Sequence, residues 1–171
     1  MALIGKIFAA LKATYTKSVD VGSATHDVVP ASTIGWEIAD GTGEYQAQLL
    51  WNDTRQLAAS ANESLDLAGG LTDAFGRALT FTAVKALIVE AAAGNVNDVV
   101  VGGAASNGFA TPFGDATDAV KVKPGGKLVL IAPETGYAVT ASTGDLLKVA
   151  NSSSGTAVDY TITVVGLGSA A

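Results

Sequence analysis

At 171 residues, with no cysteine and one histidine, the chain has the length of one domain, no disulfide to staple it and no thiolate to bind a metal. Hydrophobic residues make up 49% and charged residues only 15%, against about 25% in typical soluble domains, and Ala, Gly, Ser and Thr fill the gap. The formal charge of −6, with ten basic residues scattered singly, argues against nucleic acid as a partner, because phosphate backbones are bound by gathered Lys and Arg.

Small neutral side chains lose little on desolvation, so neighbours cover such a surface at low cost, as in the components of large assemblies. An Ala- and Gly-rich host proteome would give the same composition. No run of about 20 apolar residues is present, and the best stretch, 83–93, is interrupted by Lys85 and Glu90, so no membrane partner is expected. The opening MALIGKIFAALKA carries Lys6 inside what would be a signal-peptide core, with no basic segment ahead of it, so export by a standard signal is not expected.

The first element is the N-terminus. Leu3, Ile4, Ile7, Phe8 and Leu11 follow i, i+3, i+4 spacing and draw one stripe on a helix. This predicts a short N-terminal helix or arm over residues 1–14 and a single β-sandwich domain over 15–171. The stripe either closes over the chain's own core or packs on a neighbouring subunit, and these five residues are the candidate interaction site.

From Tyr15 onward, short segments rich in Val, Ile, Thr and aromatics alternate with Gly, Asn, Asp, Ser and Pro clusters. Strands are expected at 15–21, 33–38, 45–51, 63–67, 79–90, 98–101, 119–123, 127–132, 137–141, 146–149 and 157–165. His26 follows in SATHDVV, beside Asp27 and near Ser23 and Thr25, and is expected to be a turn residue. A triad needs an oriented nucleophile, and no G-x-S-x-G elbow is present. Trp36 and Trp51 fall on expected strands, where core or interface packing is favoured over stacking on a sugar.

FTAVKALIVEAAA reads as a strand, although Phe81, Val84, Ile88 and Ala91 would also share a helical face. The stretch 102–118 is expected to be a surface loop. Asp115 and Asp118 within it lack the third carboxylate in register that a calcium loop needs. In AVKVKPGGKLVLIA, Pro124-Gly125-Gly126 turns one strand into the next, placing Lys121, Lys123 and Lys127 on the solvated face of a hairpin. Leu128 to Ile131, apolar on both faces, fits a central strand. Val158, Tyr160, Ile162 and Val164 alternate with polar residues, one face buried and one wet. Gly69-Gly70, Gly102-Gly103 and Gly125-Gly126 lack the P-loop pattern. Catalytic, cofactor and metal residues are therefore none, and the fold class is all-β: a jelly-roll-like antiparallel β-sandwich with a short N-terminal helix or arm.

The strings LDLAGGLTDAFG (65–76) and FTAVKALIVEAAAGNVNDVVVGG (81–103) resemble small capsid decoration or cement-type virion proteins of tailed bacteriophages and related prophages. So do NGFATPFGDATDAVKVKPGGKLVLIAP and GYAVTASTGDLLKVANSSSGTAVDYTITVVG, giving a resemblance over about residues 60–166. It implies a jelly-roll sandwich that binds the major capsid protein at the head surface as a homo-oligomer, dimer or trimer, after synthesis in the host cytoplasm. The alternative is a tail or fibre component that binds carbohydrate through Trp36 or Trp51. An enzyme such as a glycan hydrolase is the least favoured class.

Overall fold

Val, Ile, Thr and the aromatics, which pack well on a pleated surface, dominate the segments that pair. The computed structural model describes residues 2–28 and 34–171, and among them there are strands and turns but no helix. The first five strands are β1 (Gly5–Ala9), β2 (Ala13–Val19), β3 (Gly22–Val28), β4 (Ile34–Asp40) and β5 (Gln46–Ala47). Then come β6 (Leu49–Leu57), β7 (Asn62–Asp66), β8 (Ala68–Thr72), β9 (Ala78–Ala91) and β10 (Val99–Gly102). The last are β11 (Ala119–Val122), β12 (Lys127–Ile131), β13 (Tyr137–Ala138), β14 (Leu146–Asn151) and β15 (Val158–Ala170).

Eight of these build the sandwich. One sheet has the order β12-β9-β15-β6 and the other β11-β10-β14-β7, with every neighbouring pair antiparallel. Successive strands mostly cross from one sheet to the other, which is the eight-stranded jelly-roll arrangement. β8 and β13 extend the first sheet along β9. Between the sheets lie Trp51, Leu67, Phe81, Leu87, Val101, Leu147, Tyr160 and Ile162, all buried. Each large apolar side chain in such a core contributes about 1.5–3 kcal/mol. Tyr160 keeps its hydroxyl satisfied at the margin by donating to Glu63 Oε1 at 2.7 Å. Glu63 in turn meets Arg55 at 2.6 Å, and Arg55 meets Asp53 at 2.8 Å, so one polar cluster ties β6, β7 and β15 together.

A third layer covers part of the outer face of the first sheet, over β9, β12 and the Val165 region of β15. β1 pairs antiparallel with β4, and β5 pairs parallel with β4. Trp36, Ile38 and Ala47 from this small sheet pack on Ala86 and Val165, with Leu3, Ile7 and Ile131 at the margin. Lys85 is the residue bulged out of the β9 ladder, where Val165 pairs with Ala86 and Gly166 with Val84. Its side chain is fully buried beneath this layer, and Nζ donates to the Gly43 carbonyl at 2.6 Å.

Three expectations need correction. The N-terminal stripe is not helical: residues 5–9 form β1, whose period of two sends Leu3 and Ile7 inward while Ile4, Phe8 and Leu11 are exposed. The Pro-Gly-Gly turn does not join a hairpin, because β11 and β12 belong to different sheets and the turn carries the chain across the sandwich. Consequently Lys121, Lys123 and Lys127 do not share one ladder; Lys123 pairs with Asp98 and Lys127 with Glu90. β12 is an edge strand rather than a central one, with Val129 43% exposed. The ambiguous run over 81–93 is resolved as strand, because β9 is paired along both of its sides.

Candidate interaction site: an exposed arm and the groove at its root

Between β1 and β4 the chain leaves the body as a hairpin. β2 and β3 pair antiparallel from Ala13↔Val28 to Val19↔Gly22, and Gly22 at φ 98° closes the turn in a conformation that other residues resist. Every residue from 8 to 27 is exposed. The exposed element is thus offset from the expected arm over 1–14 and runs well beyond it. The strands alternate: Ala13, Tyr15, Lys17 and Val19 share a face with Ala24 and His26, while Thr14, Thr16 and Ser18 face the same way as Ser23, Thr25 and Asp27. Tyr15 is 72% exposed, and Val21 at the tip is 93% exposed.

This alternation also settles how the histidine stands. His26 lies within β3 opposite Tyr15, not in a turn, and points away from the face that carries Ser23, Thr25 and Asp27. A histidine and a nucleophile on opposite faces of one ribbon cannot exchange a proton directly. Asp115 caps its own turn, accepting from Thr117 N and Oγ1, each at 3.0 Å, and these bonds lower its pKa. Among the described residues no group of three or more His, Asp or Glu is placed to hold a metal. Trp36 and Trp51 are buried, so neither offers a ring to a sugar, and Trp36 Nε1 donates to the Tyr45 carbonyl at 2.8 Å.

At the root of the hairpin, the small sheet and the edge strand β12 enclose a groove of about 600 Å³. Ala9 and Gly35, where the arm leaves and returns, line it together with Trp36, Tyr45, Val129, Ile131 and Pro133. Tyr45 is held at φ 59°, in the left-handed region. Three hydrogen bonds fix it there: its N–H donates to Pro133 O at 2.8 Å, its hydroxyl to Glu134 Oε1 at 2.9 Å, and its carbonyl accepts from Trp36. The Glu134 carboxylate raises the pKa of the Tyr45 hydroxyl. A second cleft, about 430 Å³, lies beside Leu50 and Phe75, but Asp73 and Arg77 in its wall are paired with each other.

Of the five predicted interaction residues, the structure gives Ile4, Phe8 and Leu11 to solvent and packs the partly buried Leu3 and Ile7 against Trp36, Ile38 and their neighbours. Sequence reading passed over the arm's second strand and the groove. The signal for the first was present, in the alternation of ATYTKSV and the Asp20-Val21-Gly22 turn. The groove joins residues far apart in sequence and leaves no local pattern.

Comparison with protein-family models, with curated proteins and with solved structures finds no match.

Proposed function

We propose that this chain is a structural virion protein, a capsid decoration or cement protein that binds and stabilises a phage head shell. The exposed arm carries this reading. A two-stranded hairpin in water is marginally stable on its own, and this one has every described side chain from residue 8 to residue 27 exposed. Such an element gains its packing from a neighbour in an assembly. The low charge fraction supports the same reading, since a neutral surface is covered at small desolvation cost. The resemblance over residues 60–166 supplies the shell, and so the major capsid protein, as the partner. The activity is adhesion rather than catalysis: bound copies span neighbouring capsomers and oppose their separation.

Purified chain mixed with heads that lack it tests this reading. The chain is expected to sediment with the heads to saturation and to raise the temperature at which they release DNA. A chain that stays in the supernatant at tens of micromolar, with head stability unchanged, refutes it.

A further inference from the structure

We propose that the groove between β4 and β12 receives the β2–β3 hairpin of a second copy of this chain, so that copies associate by exchanging arms. This rests on the arm reading above and names the neighbour.

The two surfaces match in chemistry. The groove is apolar, with Val129 on its open side and Tyr45 49% exposed at its rim. That rim is acidic: Glu44 adjoins Tyr45, Glu134 accepts the tyrosine hydroxyl, and neither carboxylate is in an ion pair among the described residues. The face of the hairpin that carries Ala13, Tyr15 and Val19 is apolar with one cation, Lys17, in its middle. Lys17 on that face is placed to meet the acidic rim of a second copy.

The backbone matches as well. β12 ends its sheet, so one of its edges carries unpaired N–H and C=O groups, the template on which an added strand pairs. Each hairpin strand has seven residues, about 23 Å at ~3.3 Å per residue, enough to lie along the five residues of β12. Ala9 and Gly35, the root of the chain's own arm, are part of the groove's lining. A two-fold axis at that root sets each arm on the other copy's groove, a closed exchange in which both sites are filled.

Light scattering of the full chain is expected to show a homo-oligomer at 100 μM. Tyr15→Asp and Val129→Asp, both at exposed positions, are expected to raise the dissociation constant at least tenfold without moving the melting temperature measured at a dilution where wild type is monomeric. Because the chain has no cysteine, Tyr15→Cys and Val129→Cys chains can be mixed and bridged with a short bis-maleimide. A mixed 15–129 product in excess over either chain alone is expected, and this arm holds whatever the aspartate variants do to folding. A strictly monomeric wild type, oligomers that survive both aspartate changes, or no mixed product would each overturn the proposal. A Tyr15→Asp chain that stays oligomeric but no longer sediments with heads overturns arm exchange and leaves shell binding standing. Arm exchange demonstrated in a chain that ignores heads does the reverse.

Discussion

Gly166 lies where β15 and β9 approach closely: a Cβ there would sit 2.1 Å from the Ala83 carbonyl oxygen. Backbone cannot yield as a flexible side-chain tip does, so Gly166→Ala is expected to destabilise by about 1–3 kcal/mol, read from urea denaturation. A stability within error of wild type would contradict the close approach. Lys85 is the second informative residue, because burial lowers its pKa despite the opposing influence of Glu44. A base with a folded pKa below its unfolded value of about 10.4 binds its proton more tightly when unfolded. Stability therefore rises with pH between the two values. Wild type is expected to gain on Lys85→Met as pH climbs toward 10 in parallel denaturation series, and a gap that is flat or closes the other way would refute the burial argument.

At the scale of elements, the structure separates two parts that one apolar stripe had joined. Ile7 pairs across from Trp36 on the buried face of β1, and Phe8 pairs across from Gly35 on the open face. Ile7→Ala is expected to cost on the order of 1–2 kcal/mol, because the site is half-buried, and Phe8→Ala to stay within about 0.5 kcal/mol. Equal effects would contradict the strand assignment. Replacing 10–33 by an Asn-Gly turn between Ala9 and Ile34, which are partners in the β1–β4 ladder, is expected to leave the melting temperature unchanged. A sharp fall would make the hairpin part of the fold. Each of the eleven expected strands overlaps an observed one, since alternation and turn chemistry are local signals. The bounds differ: 45–51 runs across β5 and the start of β6, 137–141 overruns β13, and residue 33 of the 33–38 strand lies outside the described residues. β1 was hidden because Leu3, Ile4, Ile7, Phe8 and Leu11 satisfy a helical spacing as well as a strand period. The end of β15 was hidden because glycine reads as a breaker, whereas Gly166 and Gly168 sit at register shifts in a continuing strand. Sheet membership of β11 and β12 depends on distant pairing, which a local hairpin signal misstates. The groove follows from that placement and was therefore illegible too.

For the whole molecule, three layers share the first sheet, with the jelly-roll core on one face and the β1–β4–β5 sheet on the other. The inner face of that sheet and part of its outer face are spent on the fold, which leaves the arm, the β12 edge and the exposed outer face of β6 for contact with neighbours. Millimolar calcium is expected to leave the melting temperature unchanged, whereas a specific site filled at 100 times its Kd would add about 2.7 kcal/mol. A rise reversed by chelator would reveal a site that the carboxylates do not indicate. If arms hold copies together, each oligomer presents several shell-binding surfaces at once, and effective concentration strengthens attachment beyond that of one copy. A cryo-EM reconstruction of the particle carrying this chain tests the account most directly. The account predicts jelly-roll density on the outer head surface, in contact with the major capsid protein, with each hairpin ordered against a neighbour. Density confined to the tail, or heads in which the chain is absent, would contradict it.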